Sequence, residues 1–285
     1  MTHQFLYQLP HILWINLEKS VDRRKYMETN LNNLNLKHTR INALDRSNLQ
    51  SFCFDDTNNI QINNIRKEKQ TACFFSHIKA LEHFVNNKTL GDYCLISEDD
   101  LSMETVKYWD KPFWDYINDA PKDFEVIQLV QTYTSANSLH NLNKYNVLNI
   151  KKHIFDKNMP WGCVLYLVKR TFAEKIISNF IKKDNFGRYN INYIREMGNK
   201  VIDEMQISNQ FKTKIKNNLL ISDVFMYIFN NAYTIPLFTT TNKFVSTIDD
   251  VTKQYHFISK NYITQLLIEH KKQFKNIKAG YRYLM

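Results

Sequence analysis

Short apolar runs alternate with amphipathic segments along this chain, and the alternation predicts strands joined by helices. The first run, residues 12–17, is apolar except for Asn16, which is typical of a strand covered on both faces. A short polar turn follows, and apolar residues then recur at helical spacing over residues 26–34, with Ser20 or Asp22 as the expected N-cap. A strand, a loop and a helix in this order favour a parallel sheet.

The same pattern continues along the chain. It predicts strands at 39–44, 93–97, 124–130, 162–168 and 235–238, and helices at 72–84, 171–180, 224–229 and 262–274. Residues 45–70 are polar and rich in asparagine and predict a loop, whereas residues 184–220 are mixed, with some helix expected. We predict an α/β fold with a mostly parallel central sheet flanked by helices: one domain over 1–245, and a basic helical extension over 246–285 packed on it.

Composition narrows the classes of protein without choosing one. Hydrophobic residues make up 44% of the 285 residues and aromatic residues 14%, which excludes a disordered chain. The net charge of +10 favours an acidic partner: nucleic acid, an anionic membrane surface or a phosphate-bearing substrate. No run approaches the ~18 to 20 apolar residues that span a bilayer, and no secretory signal is seen, so we expect a soluble, cytoplasmic protein.

The four cysteines have no C-x-x-C spacing, and three of them lie in apolar runs. We therefore expect buried free thiols, with a disulfide or a zinc site as the less favoured alternative. Free thiols fit a reducing compartment.

Three carboxylates, Glu98, Asp99 and Asp100, directly follow the strand at 93–97. Ligands bind at the carboxyl ends of strands in open α/β sheets, and adjacent carboxylates repel one another unless a cation offsets the charge. Mg²⁺ and Mn²⁺ prefer oxygen ligands and leave coordination positions for phosphates. The triplet predicts a metal–diphosphate site, and the alternative is a solvated acidic turn.

Other candidates have equally simple alternatives. Arg23 and Arg24 lie on a first helical turn, where backbone N–H groups suit an anion, although such a pair is more often solvated. His77, beside Ser76, is either a core residue or a wall of the site. The apolar helix at 224–229 is expected to be capped by Ser222, by Asp223 or by both, and Asp223 taken by itself is more often an N-cap.

Five segments in order resemble one enzyme family. They are Ile15-Asn16-Leu17 with Asp22-Arg23-Arg24, Ala72-Cys73-Phe74-Phe75-Ser76-His77, Leu95-Ile96-Ser97-Glu98-Asp99-Asp100-Leu101, the stretch from Trp161 to Arg170, and Ser222-Asp223-Val224-Phe225. In this combination the chain resembles the family 25 glycosyltransferases, which include lipopolysaccharide-chain galactosyltransferases and the collagen hydroxylysine galactosyltransferase domain. Residues beyond about 245 match no segment of that family.

The resemblance implies a GT-A-like fold and inverting transfer of a hexose, galactose first and glucose next, from a UDP-sugar with Mn²⁺ or Mg²⁺. The acceptor would be a hydroxyl on a glycan or on a collagen-like hydroxylysine. By the same resemblance, Glu98 and Asp100 hold the metal and Asp223 is the catalytic base. The remaining implied contacts, on the nucleotide or sugar side, are Asn16, Leu17, Arg23, Arg24, Ser76, His77 and Asp99.

Two alternative functions are also considered for this sequence. A transferase-like fold without catalysis would act as a binding protein, although the acidic residues of the enzyme are all present. A nucleic-acid or anionic-surface binder would use the net charge and the basic final helix, with Lys271, Lys272, Lys275 and Lys278. No recognised nucleic-acid motif accompanies those lysines.

Overall fold

The computed structural model describes residues 2–55, 64–131, 150–152, 162–229, 231–241, 243–244 and 252–282. The strands are β1 (Ile12–Asn16), β2 (His38–Asn42), β3 (Cys53–Phe54), β4 (Tyr93–Glu98), β5 (Leu101–Ser102), β6 (Val126–Val130), β7 (Lys151–Lys152), β8 (Leu165–Lys169), β9 (Tyr189–Asn190) and β10 (Ala232–Thr240). The α-helices are α1 (Thr2–Phe5), α2 (Val21–Asn33), α3 (Leu49–Phe52), α4 (Ile65–Asn86), α5 (Phe113–Ile117), α6 (Arg170–Phe180), α7 (Ile191–Glu204), α8 (Asn209–Lys216), α9 (Ser222–Phe225) and α10 (Thr252–Arg282).

Eight of the described strands form one sheet, in the order β2-β1-β4-β8-β6-β10-β5, with β7 also paired to β10. β2, β1 and β4 are parallel, and so are β6 and β10. β8 lies antiparallel between β4 and β6 and joins these two groups. The predicted α/β fold with a central sheet flanked by helices is confirmed, and the described strands pair as a mixed sheet rather than a mostly parallel one. The acidic triplet begins at Glu98, the last residue of the interior strand β4.

Both faces of the sheet are covered, as the apolar run in β1 predicts. Side chains alternate between the faces of a strand, so Leu13 and Ile15 join one core cluster while Ile12 and Trp14 join another. The first cluster packs under α4, α6 and α7, and the second under α2, α5 and α10.

The predicted loop at 45–70 is wrong over part of its length. A 3₁₀ turn and α3 lie between Arg46 and Phe52, and α4 begins at Ile65, where the Asn64 side chain accepts a hydrogen bond from the Arg66 backbone N–H. The first turn of α4 is largely exposed, and apart from the exposed Ile65 it is charged, so it shows no apolar period although arginine, lysine and glutamate are good helix formers. Residues 56–63 of the predicted loop lie outside the described residues.

The predicted cap of the late apolar helix is also corrected. Ile221, and not Ser222 or Asp223, is the N-cap of α9, and no side chain caps it. The helix also ends at Phe225 rather than continuing to residue 229. The carboxyl group of Asp223 is therefore available for contacts outside its own helix.

The helix α10 packs against β10 and against the 3₁₀ segment Glu104–Tyr108. Ile263 and Leu267 are buried in the second core cluster, and Lys260 pairs with Glu104 at 2.7 Å. The domain boundary at residue 245 stays a prediction. Among the described helices, none is long and apolar enough to cross a membrane.

Candidate functional site

A cavity of about 370 Å³ lies at the carboxyl ends of β1 and β4. The two strands are parallel neighbours with Ile15 opposite Glu98, so Asn16 and the acidic triplet meet at one edge of the sheet. The cavity is lined by Ile15, Asn16, Leu17, Lys19, Ser20, Arg23, Ala43, Leu44, Asp45, Arg46, Lys69, Ala72, Cys73, Ser76, Glu98 and Asp99. Its wall thus combines apolar side chains with four cationic and three carboxylate side chains.

Arg23 forms a buried ion group with the turn that follows β4. Its guanidinium donates a hydrogen bond to Asp99 Oδ1 and lies 3.8 Å from Asp100 Oδ2. Asn16 Nδ2 donates to Asp99 Oδ2 at 2.7 Å. Burial raises the pKa of Asp99, while Arg23 and Asn16 act in the opposite direction. These contacts fix the turn after β4 to the end of β1 and to the first turn of α2.

Glu98 lies in a second group, with Cys73 and His77 of α4. The Cys73 thiol donates to Glu98 Oε1 at 3.8 Å, and His77 Nε2 lies 3.4 Å from the same oxygen. Burial lowers the pKa of His77 to about 4 and raises the pKa of Cys73 well above its usual value. Both partners of Glu98 in this group are therefore uncharged at neutral pH.

The neutral state of His77 determines its hydrogen bonds. A carboxylate only accepts, so Nε2 must carry the proton that is donated to Glu98. Nδ1 is then an acceptor, and it accepts from the Tyr166 hydroxyl at 3.2 Å. His77 is fully buried, so it supports Glu98 from behind and does not line the cavity.

Asp223 lies beside this second group. Its Oδ2 accepts a hydrogen bond from the Gly162 backbone N–H at 3.2 Å, and the neighbouring Ser222 hydroxyl is 3.7 Å from Cys73 Sγ. Burial and the nearby charge of Glu98 raise the pKa of Asp223 to about 6. The fold thus brings Asp223 close to Glu98, although Asp223 is not part of the cavity wall.

The predicted site residues therefore occupy different positions. Those in the cavity wall are Asn16, Leu17, Arg23, Ser76, Glu98 and Asp99, whereas Arg24, His77, Asp100 and Asp223 are not. Ser76 Oγ accepts from the Leu44 backbone N–H at 2.9 Å and donates to the Ala72 carbonyl at 2.7 Å, so it holds the wall in place. Arg24 pairs with Glu18 at 2.9 Å, on a partly exposed surface. Trp161 of the matched strand segment lies outside the described residues.

Several residues of the cavity wall are not among the predicted site residues. The cysteine pattern predicts a buried thiol at Cys73, although its spacing of four residues from His77 places both on one face of a helix. Lys69 lies one turn before Cys73 on α4, Lys19 comes from a loop, and Asp45 and Arg46 are the N-cap and the first residue of a 3₁₀ turn. In the described part of the chain, Lys19 pairs with Asp45 and Arg46 pairs with Glu68, whereas Lys69 has no carboxylate partner.

We expect the substitution Arg23→Met to lower the free energy of unfolding by about 3–5 kcal/mol, because it leaves buried carboxylates without their guanidinium. Urea denaturation of the wild type and the variant measures the change. In the Arg23→Met background, Asp99→Asn should recover part of the loss, since it removes one of the two buried charges.

The matched control is Arg24→Met, which removes the neighbouring guanidinium from an exposed pair with Glu18. This change should cost about 0–1 kcal/mol. Equal losses in the two arginine variants would show that the buried ion group does not stabilise the fold.

Comparison with known proteins identifies one family that the chain matches. No curated protein matches the chain. Residues 9–194, about two thirds of the chain, match the family model described as glycosyltransferase family 25 (LPS biosynthesis protein). The match includes β1, the start of α2, α4 and the acidic triplet, and it ends before Asp223. The chain therefore belongs to glycosyltransferase family 25.

Proposed function

We propose that this chain is an inverting hexosyltransferase with a GT-A-like fold, which moves galactose, or else glucose, from a UDP-sugar to a hydroxyl acceptor. The acceptor is a glycan or a collagen-like hydroxylysine, and Mn²⁺ or Mg²⁺ binds the diphosphate. The observation that supports this most is the lining of the cavity at the carboxyl ends of β1 and β4. In this member of a glycosyltransferase family, the cavity wall contains both cationic side chains and the Glu98 carboxylate. The cations suit a diphosphate and the carboxylate suits its metal ion.

The chemistry of the donor groups fits a divalent cation at Glu98. This carboxylate lines the cavity, and its oxygen lies beside the Cys73 thiol and the His77 ring, which are both uncharged at neutral pH. We propose Glu98 and Asp100 as ligands, with Glu98 on the cavity side and Asp100 in the same turn. The bound ion would neutralise charge that grows on the departing diphosphate.

The other polar residues of the wall prepare the site for the nucleotide. Asp99 is held by Arg23 and Asn16, so it braces the turn that carries both proposed ligands. Within the described residues, the buried Oδ1 of Asn16 has no hydrogen-bond donor. This oxygen is an acceptor that a hydroxyl of the donor substrate would satisfy.

Lys69 is the cationic residue of the wall best placed to bind phosphate. It lies four residues before Cys73 on α4, about 6 Å along the helix axis, and Cys73 contacts Glu98. A diphosphate whose metal ion is held by Glu98 therefore lies within reach of the Lys69 ammonium group. Because Lys69 has no carboxylate partner in the described residues, no existing ion pair must break first.

Manganese and UDP together should raise the melting temperature, because a ligand that binds only the folded state stabilises it by mass action. At about 100 times Kd we expect a rise of about 5 °C or more. In Glu98→Gln the manganese-dependent part of this rise should disappear, while Glu174→Gln, a change in an exposed pair with Lys88, should behave as wild type. Failure of the wild type to respond to any UDP-sugar with Mn²⁺ would contradict the proposed function.

Lys69→Met should weaken UDP binding about tenfold, because one charge-assisted hydrogen bond to phosphate is lost. Uridine, which has no phosphate, should bind equally well to the variant and the wild type. Isothermal titration measures both affinities. Lys69→Arg should retain most of the affinity, and Lys67→Met, an equal loss of charge at an exposed position of α4, should change nothing. A uniform loss for UDP and uridine would show that Lys69 does not contact phosphate.

Asp223 is the proposed base that accepts the proton of the acceptor hydroxyl. Because its pKa is raised to about 6, Asp223 is a carboxylate above pH 6 and becomes protonated below it. We expect kcat/KM for UDP-sugar hydrolysis to fall as pH drops through about 6, and Asp223→Asn to lower kcat by about 10²–10⁴-fold and to remove this ionisation. Asp203→Asn, at an exposed position, should leave the profile unchanged. If the ionisation persists in Asp223→Asn, another group is the base.

A further inference from the structure

Cys73 and His77 form a group with Glu98, and the proposed transfer reaction gives neither Cys73 nor His77 a chemical role. The donor atoms of the three residues, Sγ, Nε2 and a carboxylate oxygen, all lie within 4.8 Å of one another. Cysteine, histidine and glutamate are three of the residue types that bind zinc in proteins. The group therefore merits comparison with the geometry of a zinc site.

Two of the three distances within the group match edges of a zinc coordination tetrahedron, and the third, from Cys73 Sγ to His77 Nε2, is at most 4.8 Å. Zinc bonds of ~2.0–2.2 Å to nitrogen and oxygen and ~2.3 Å to sulfur place tetrahedral ligands about 3.3 Å apart for nitrogen and oxygen and about 3.6 Å apart for sulfur and oxygen. Here His77 Nε2 lies 3.4 Å and Cys73 Sγ 3.8 Å from Glu98 Oε1. Little movement of the side chains would admit the ion.

Two further features of the group support zinc binding. Histidine ligands of zinc commonly hold their second ring nitrogen in a hydrogen bond, and His77 Nδ1 lies 3.2 Å from the Tyr166 hydroxyl. That hydroxyl donates to the metal-free ring and can accept from Nδ1–H when Nε2 binds metal. The ligands are also held by rigid elements, since Cys73 and His77 are one turn apart on α4 and Glu98 ends β4.

We propose that Cys73, His77 and Glu98 bind Zn²⁺, with a fourth coordination position that faces the donor cavity. The fourth position faces that way because Cys73 and Glu98 both line the cavity, and water or a ligand oxygen would occupy it. Thiolate and imidazole favour Zn²⁺ over Mg²⁺ and Mn²⁺, which prefer oxygen. On binding, the Cys73 S–H proton leaves to solvent as the Zn–S bond forms, and the neutral His77 ring carries its proton on Nδ1 instead of Nε2.

This zinc site shares Glu98 with the proposed donor-metal site, but it does not require that the chain transfer sugars. When both ions compete for Glu98, zinc excludes the ion that binds the diphosphate. Zinc should therefore act as an inhibitor of the proposed reaction. Binding itself can be tested without substrate.

The test uses Co²⁺ as a coloured substitute for zinc in the full chain. We expect one equivalent to bind with a thiolate-to-cobalt absorption band in the near ultraviolet, which Zn²⁺ abolishes and Mn²⁺ does not. Cys73→Ser should lose the band, whereas Cys53→Ser, a matched change at a buried thiol outside the group, should retain it. Tyr166→Phe should keep the band and weaken Zn²⁺ binding about tenfold or more, as loss of a partner of a ligating histidine does.

Circular dichroism tests whether each variant is folded. If Cys73→Ser does not fold, Glu98→Gln serves as the second variant that removes a proposed ligand. Absence of the band in the wild type, its survival in Cys73→Ser or its loss in Cys53→Ser would each overturn the proposal. A cobalt band in a protein that shows no stabilisation by UDP and Mn²⁺ would support the zinc site and contradict only the sugar-transfer function.

Discussion

The contact between Arg23 and the turn after β4 is the interaction on which the site depends. Asp99 is held by Arg23 and Asn16, the backbone carbonyl of Asp100 accepts from the Thr241 N–H at 2.7 Å, and the Phe244 ring lies 5.4 Å from the Arg23 guanidinium. The ends of β1, β4 and β10 and the start of α2 therefore meet at one buried cation. Because a buried charge is costly without its partners, these segments adopt their positions together, and the cavity wall is formed before any ligand binds.

This arrangement divides the acidic triplet into two parts with different roles. Successive side chains at a strand end point in opposite directions, so Glu98 faces Cys73 and His77 while Asp99 faces Arg23. The buried ion group offsets the charge of the aspartates. Glu98 instead contacts the uncharged Cys73 and His77 side chains and lines the cavity, where we propose that it binds a metal ion. A single sequence feature thus provides both the support of the site and its proposed chemistry.

Local patterns explain which features the sequence could predict. The apolar runs of β1 and β4 identify strands, and the parallel arrangement then places Asn16 and the acidic triplet at one edge. The contacts of Glu98 with α4 and the approach of Asp223 depend on how helices dock across the sheet, which no local period encodes. The exposed start of α4 has no apolar stripe, and for this reason the sequence pattern predicts a loop, not a helix, at Lys69. The sequence does not identify Cys73 as a contact of Glu98, because a buried thiol and a metal-binding thiol have the same sequence signature.

The charges of the cavity also explain why metal and diphosphate should bind together. Lys19 and Arg46 are already paired with Asp45 and Glu68, so the net charge of the chain overstates the attraction available to an anion. A diphosphate alone would meet the Glu98 carboxylate, which repels it. A divalent ion at Glu98 reverses the sign of that interaction, so each ligand should raise the affinity of the other by the same factor. The same logic makes a soft metal ion held by Cys73 and His77 a competitor, because it takes Glu98 away from the ion that the diphosphate needs.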